Sequence, residues 1–264
     1  MQKVGIVVPT LGKRPDYLLQ CLESIKHASS GANAVYVVMV APKAFDASAF
    51  LRSGLVDKFV EDPGNGLPEA INVGFSSMPE FVEYINWLGD DDLLAPNSID
   101  ITTSFLDTNQ ETVMVFGGCS YIDPNGKVVW TNKSGQFTVA LLKYGPNLIP
   151  QPGALFRRKS LVEVGGLDTS FDWAFDFDLF IKLSRTGKLN HINQELSSFR
   201  WHPESLSVEY RKKSVAEASK VRVSQLPSLL KLISFIWEIP VRYATLVAGY
   251  RVTSQAKKIA SRTS

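Results

Sequence analysis

Short apolar runs alternate with amphipathic stretches through the first ninety residues. Val4-Gly5-Ile6-Val7-Val8 is a continuous apolar run, the pattern of a strand covered on both faces, and Pro9 ends it. Tyr17 to Ala28 reads as an amphipathic helix. Val35 to Val40 is a second buried strand, Asp46 to Ser53 a short helix, and Lys58-Phe59-Val60 a third strand. Pro68 fits the first turn of a helix reaching Ser77. Phe81 to Leu88 is strand-like again. This alternation predicts an α/β fold with a mostly parallel central sheet, Rossmann-like and flanked by helices.

The pattern changes after Asp92. A helix is expected over Pro96–Asn109, then a strand over Val113–Tyr121. Asp123-Pro124-Asn125-Gly126 is a turn leading into Lys127–Trp130, which together make a hairpin. Gly153–Arg157 reads as a strand and Lys159–Val164 as a helix stopped by Gly165-Gly166. Asp172 is placed to cap a helix over Trp173–Thr186. Two short strands, at 190–192 and 197–201, close a body of residues 1–210. Residues 211–264 form a separate basic, apolar helical tail.

Charge sharpens that division. The 264 residues carry a net charge of +2. From Arg211 onward there are eleven Lys/Arg against two Asp/Glu, and before it 17 against 24, so an acidic body precedes a basic tail. Lys231, Glu238 and Arg242 interrupt the apolar stretch Leu226–Tyr250, and Pro227 and Pro240 bracket it, so no spanning helix is expected. Lys231, Arg242, Arg251, Lys257, Lys258 and Arg262, set among Trp237, Tyr243 and aliphatic residues, suit an anionic membrane surface. A helical pair packed on the body, or on a second copy in a homodimer, is the other reading. Cys21 and Cys119 lie far apart, without metal-type spacing, and are expected to be buried free thiols. With no signal-peptide pattern, a cytoplasmic protein is expected, peripheral on the inner face of the plasma membrane if the tail meets lipid.

Several chemistries lack their motifs. There is no Gly-x-Gly-x-x-Gly after the first strand, no Gly-Lys-Ser/Thr phosphate loop, no His-Glu-x-x-His and no Gly-x-Ser-x-Gly. What stands out is Asp90-Asp91-Asp92, directly after a strand, where α/β folds bind ligands. Three adjacent like charges call for a cation, such as a divalent metal carrying a phosphorylated ligand. A second candidate is Asp176. It lies among Trp173, Phe175 and Phe177 at the start of a helix, where aromatic walls raise a carboxyl's pKa and make it a better base.

At this point the chain resembles the family 2 glycosyltransferases, inverting enzymes of the GT-A fold, over roughly Val4 to Ser207. The motifs run in that family's order: Val4–Thr10, Gly64–Gly74, Leu88–Pro96, Gly165–Asp168 with Trp173–Leu183, and Phe199–Ser207. The resemblance implies a nucleotide-sugar-binding half at 1–95 and an acceptor half at 96–210. It implies Asp176 as catalytic base. Asp92 and Asp90, with His202, would hold Mn²⁺ or Mg²⁺. Pro9, Thr10, Arg14, Asn72, Asp90 and Asp91 would contact the nucleotide-diphosphate sugar, and Trp173 and Asp178 would lie toward the acceptor. The implied reaction is sugar transfer to a hydroxyl of a glycan or lipid-linked saccharide, as in bacterial cell-envelope polysaccharide synthesis. Two departures are plain. Val40-Ala41-Pro42-Lys43 replaces the family's acidic base-reading motif, and Phe175 replaces its Glu before the base. The residues also admit a nucleotidyltransferase, or a non-catalytic nucleotide-sugar-binding scaffold. Nucleic acid is not an expected partner.

Overall fold

A computed structural model describes residues 3–31, 35–132, 135–201 and 210–260. Its first half is the expected alternation: β1 (Val4–Pro9), α1 (Pro15–His27), β2 (Val35–Ala41), α2 (Ser48–Ser53), β3 (Lys58–Glu61), α3 (Leu67–Ser76) and β4 (Tyr84–Trp87). Then come β5 (Leu93–Leu94), α4 (Ser98–Thr108), β6 (Thr112–Ile122), β7 (Val128–Asn132) and α5 (Phe137–Leu141). β8 (Leu155–Arg157), α6 (Arg158–Glu163), α7 (Phe175–Leu183) and β9 (Lys188–Arg200) complete the body. α8 (Arg211–Ser224), α9 (Ser228–Ile233) and α10 (Phe235–Ala260) follow.

One sheet runs in the order β3-β2-β1-β4-β8-β6-β9-β5, with β7 paired to β6. β3, β2, β1 and β4 are mutually parallel. β8 runs antiparallel between β4 and β6, and β6 and β9 are parallel. The first two connections lead outward from β1 on one side and β4 lies on its other side, so the strand order reverses at β1. Alternation puts Val4, Ile6 and Val8 into a core with Leu18, Leu22 and Ile25 of α1. Val7 points the other way, to Ile71 and Phe75 of α3 and to Phe177 and Phe180 of α7. A strand buried on both faces needs apolar residues in both registers. Cys21 and Cys119 are buried and free.

Three features differ from the sequence reading. β9 is a single strand of 13 residues rather than two short ones. The polar Asn193-Gln194-Glu195 interrupts its apolar pattern, yet its backbone stays beside β6, with irregular register around Gly117 and Gly118. Pro240, read only as bracketing the apolar stretch, lies inside the continuous helix α10. And Asp172 does not cap α7, because its side chain makes no cap bond. Glu217 of α8 accepts the backbone N–H groups of Asp172, Trp173 and Ala174 instead, at 3.2, 2.8 and 3.0 Å.

The C-terminal helices pack on the body in part. Val215, Val221 and Arg222 of α8 are buried. α10 faces α8 with polar positions: Glu238 meets Arg222 at 2.7 Å and Thr253 accepts from Arg211 at 2.7 Å. Among the described residues, no helix is long and apolar enough to cross a membrane.

The close approach of β6 and β9 is checkable. A Cβ on Gly117 would lie 2.6 Å from the backbone oxygen of Gln194 and 2.7 Å from Leu196. Because a backbone atom cannot swing aside, Gly117→Ala is expected to lower stability by about 1–3 kcal/mol, read as a fall in the urea midpoint. An unchanged midpoint would contradict this packing.

Candidate active site

In open α/β sheets ligands bind beyond the carboxyl ends of the strands, where strand order reverses. Here that crevice lies between the ends of β1 and β4. Thr10 follows β1 and Asp90 follows β4, and the Thr10 hydroxyl donates to Asp90 Oδ2 at 2.5 Å. Thr10 Oγ1 also accepts from Gly12 N at 2.9 Å, which shapes the loop after Pro9. Arg14 Nη1 lies 3.6 Å from Asp91 Oδ2.

Asp92 is buried, and its Oδ1 accepts the backbone N–H of Arg200 at 3.0 Å. Burial pushes its carboxyl well up from the ordinary value, and the charges of Asp91 and Asp90 add to this against the Arg200 amide. Arg200, inside the Phe199–Ser207 motif, was given no role of its own in the sequence. At the end of β9 its guanidinium is buried, and it donates to the backbone oxygen of Asp91 at 3.0 Å, to that of Pro124 at 3.1 Å and to Gln20 Oε1 at 2.8 Å. It also stacks on Tyr17 at 4.3 Å. The turn thus has a fixed cation behind it.

Asp176 sits in the first turn of α7. Its Oδ1 accepts from Phe177 N at 2.7 Å and its Oδ2 from Asn147 Nδ2 at 3.1 Å. Burial lifts its carboxyl from 3.8 to about 6, against those hydrogen bonds. The loop carrying Asn147 joins the two acidic places. Gln151 Nε2 donates to Asn86 Oδ1 at 2.9 Å and to the Trp87 oxygen at 2.8 Å, just before the Asp triplet. Trp87 in turn lies against Phe175, with ring centroids 6.0 Å apart. Asn147 and Gln151 carry no motif, and only contact across the fold reveals them.

The other expected residues distribute as follows. Pro9, Thr10, Arg14, Asp90, Asp91 and Asp92 gather at the crevice. Asn72 spends both ends of its amide on the Leu167 backbone, accepting at 3.0 Å and donating at 2.8 Å, so its visible work is to tie α3 to the loop before α7. Trp173 is half-buried against Tyr210, with the Lys213 ammonium 5.2 Å from its ring centre. Asp178, read as lying toward the acceptor, points inward. It is buried and paired with Lys182 at 2.6 Å, because two residues beyond Asp176 in the first turn of α7 a side chain points to another face, here into the protein. His202 lies outside the described residues. Among the described residues, no three His, Cys, Asp or Glu side chains converge in a metal-holding group.

Comparison with known proteins supports the fold. No family model matches the chain. It is 26% identical over 155 residues to an uncharacterized glycosyltransferase of Rickettsia felis, covering 56% of this chain and 25% of that protein. The chain therefore spans about a quarter of the length of that relative. The crystal structure of S. aureus TarS 1–349 in complex with UDP-GlcNAc superposes with a TM-score of 0.63 at 12% identity, over 87% of this chain and 69% of the other. The mannosyltransferase PcManGT from Pyrobaculum calidifontis, in complex with GDP-Man and Mn²⁺, gives 0.63 at 14% identity over 99% and 79%. The fold is that of the GT-A type glycosyltransferases.

Folding raises the pKa of Asp176, so the fold favours its protonated form. That preference is fully present below the unfolded value of 3.8 and is lost as pH rises through about 6. Asp176→Asn should therefore match the wild type in acid and exceed it by roughly 1–3 kcal/mol above neutrality, measured by denaturant titration across a pH series. A pH-independent difference would contradict the burial of this carboxylate.

Proposed function

We propose that this chain is an inverting glycosyltransferase. It takes a sugar from a nucleotide-diphosphate donor held at the ends of β1 and β4 and passes it to a hydroxyl of a glycan or a lipid-linked saccharide. One observation carries the reading. In a GT-A fold, a carboxylate lifted to about 6 stands one loop away from an acidic turn at the topological switch point. The base lies close to working pH, where general bases are most effective. The acceptor oxygen attacks the anomeric carbon, its proton goes to Asp176, and the bond from that carbon to the diphosphate oxygen breaks. A single displacement needs one base and a stabilised leaving group, and no nucleophilic side chain.

The donor chemistry of the acidic turn fits a divalent metal. Asp90 and Asp92 offer hard oxygen ligands, burial and then the charges of Asp91 and Asp90 raise Asp92, and phosphate oxygens of the donor would complete the set. When bound, Mn²⁺ or Mg²⁺ supplies positive charge against the leaving diphosphate. Arg14 and Thr10 then orient Asp91 and Asp90 at the mouth of the crevice.

The donor test is a screen of UDP-, GDP- and other nucleotide sugars, with and without Mn²⁺, read by thermal shift and by release of nucleoside diphosphate. Asp176→Asn is expected to keep donor binding and lose transfer by about 10²–10⁴-fold, and Asp92→Asn to lose the metal-dependent shift. Release of pyrophosphate would mean nucleotidyl transfer instead. Binding without turnover in the wild type would mean a scaffold.

The tail's partner is read as an anionic lipid surface. The side of α9 and α10 turned away from α8 carries Leu229, Leu232, Phe235, Ile236, Ile239 and Tyr243, all between 60% and 80% exposed. The inward positions Ser234 and Glu238 are polar and buried, so the pair is apolar outside and polar inside. Lys231, Arg242 and Arg251 flank the apolar side and are exposed. Each such cation contributes about 1 kcal/mol near an anionic surface. The chain should float with phosphatidylglycerol vesicles and not with pure phosphatidylcholine, and Lys231→Glu with Arg242→Glu should release it. Equal binding to both vesicle types would contradict the electrostatic part.

A further inference from the structure

Helix α8 reaches the surroundings of Asp176 from two directions. On one side, the Glu217 carboxylate collects the three N–H groups of Asp172, Trp173 and Ala174, which open α7 and lie just before Asp176. Helix starts leave such donors unpaired unless something accepts them, and no side chain of the N-cap residue, Ala174, does so here. On the other side, the Arg222 guanidinium is buried over the Phe177 ring, 5.8 Å from its centre. Its Nη1 donates to the backbone oxygen of Gly145 at 3.2 Å. Gly145 precedes by two residues Asn147, which donates to the Asp176 carboxylate. Arg222 is held in turn by Glu238 of α10, through Nε at 2.7 Å and Nη2 at 2.8 Å, and Ser219 adds a bond to the same carboxylate at 2.6 Å.

A buried ion pair is weak evidence for stability, since apolar residues of equal volume often serve as well. What a bidentate pair adds is a fixed direction. Here the direction aims a donor at the loop carrying Asn147.

We propose that α8 positions Asp176, through Glu217 on the helix-start side and through the Arg222–Glu238 pair on the loop side. The C-terminal helices are then part of the active site's construction. Glu217 and Arg222 are positioning residues, and the proposal rests on the reading of Asp176 as the base. The sequence separates these groups by dozens of residues, and only the packing of α8 on α7 brings them together.

The test uses the whole chain with Glu217→Ala, Glu217→Gln, Glu238→Gln and Asp176→Asn. Turnover is followed as nucleoside diphosphate released from UDP-GlcNAc and from GDP-mannose with Mn²⁺, and backbone amide exchange is followed at 172–174 and 145–149. Glu217→Ala is expected to lower kcat by about a hundredfold with donor KM within about twofold, since misplacing a catalytic group costs that much. Glu217→Gln should recover most of the rate, because its amide oxygen still accepts. Exchange at 172–174 should quicken in Glu217→Ala, and at 145–149 in Glu238→Gln. A folded Glu217→Ala with wild-type kcat overturns the proposal. Full turnover by Asp176→Asn overturns it through the base instead, a failure visible in that variant alone. If neither donor is turned over, amide exchange decides: unchanged exchange at 172–174 overturns the positioning role.

Discussion

Three carboxylates in a row repel one another, and the turn bearing them keeps its shape because Arg200 is buried behind it. That one side chain bonds the backbone of Asp91, the Asp123–Gly126 turn at Pro124, and Gln20 on α1, while its own N–H holds Asp92. Its reach explains other features. β9 must be long and continuous to deliver Arg200 beside Asp92, and Gly117 and Gly118 must be small for β9 to run close to β6. A guanidinium suits the place because it stays charged and has five donors in a plane.

The two acidic places divide the electrostatic work. At the turn, three like charges sit in front of a fixed cation, the arrangement that the proposed metal and diphosphate would use. At Asp176 no charged group among the described residues contributes to the shift. Burial lifts the pKa, and the Asn147 amide and the Phe177 backbone N–H fix the direction of the carboxylate. Environments that differ in this way push two carboxylate sites into different roles, as the proposed transfer requires. The 147–151 loop joins them, bonded at one end to Asp176 and at the other to the end of β4.

Much of this was legible in the sequence, for physical reasons. Strands buried on both faces write themselves as apolar runs, and so β1, β2 and the acidic turn after β4 were found at nearly their true bounds. Asp176 was read as a candidate base from the aromatic residues beside it in sequence, and the fold lifts its carboxyl from 3.8 to about 6. The misses share a cause. Arg200, Asn147, Gln151 and Glu217 act through partners 29 to 109 residues away, and no local pattern records such a pairing. Asp172 was read as a cap because capping is usually local. Here a distant carboxylate takes its place. Asp178 shares its helix with Asp176, but two residues along a helix point a side chain to another face, and Lys182 claims it. β9 was split because its polar centre broke the apolar pattern while backbone pairing continued. α10 inverts the usual rule, with polar groups inward, so its pattern gave composition and charge but not its packing on α8.

The central claim is that the acidic turn and Asp176 form one donor site. Paramagnetic relaxation by Mn²⁺ tests it most directly, in the isotope-labelled chain with UDP or GDP present. The account predicts the strongest broadening at Gly89–Asp92, Thr10 and Arg200, with a weaker, graded effect at Asn147 and Asp176. Broadening centred elsewhere, or at the turn with none reaching Asn147 and Asp176, would contradict it.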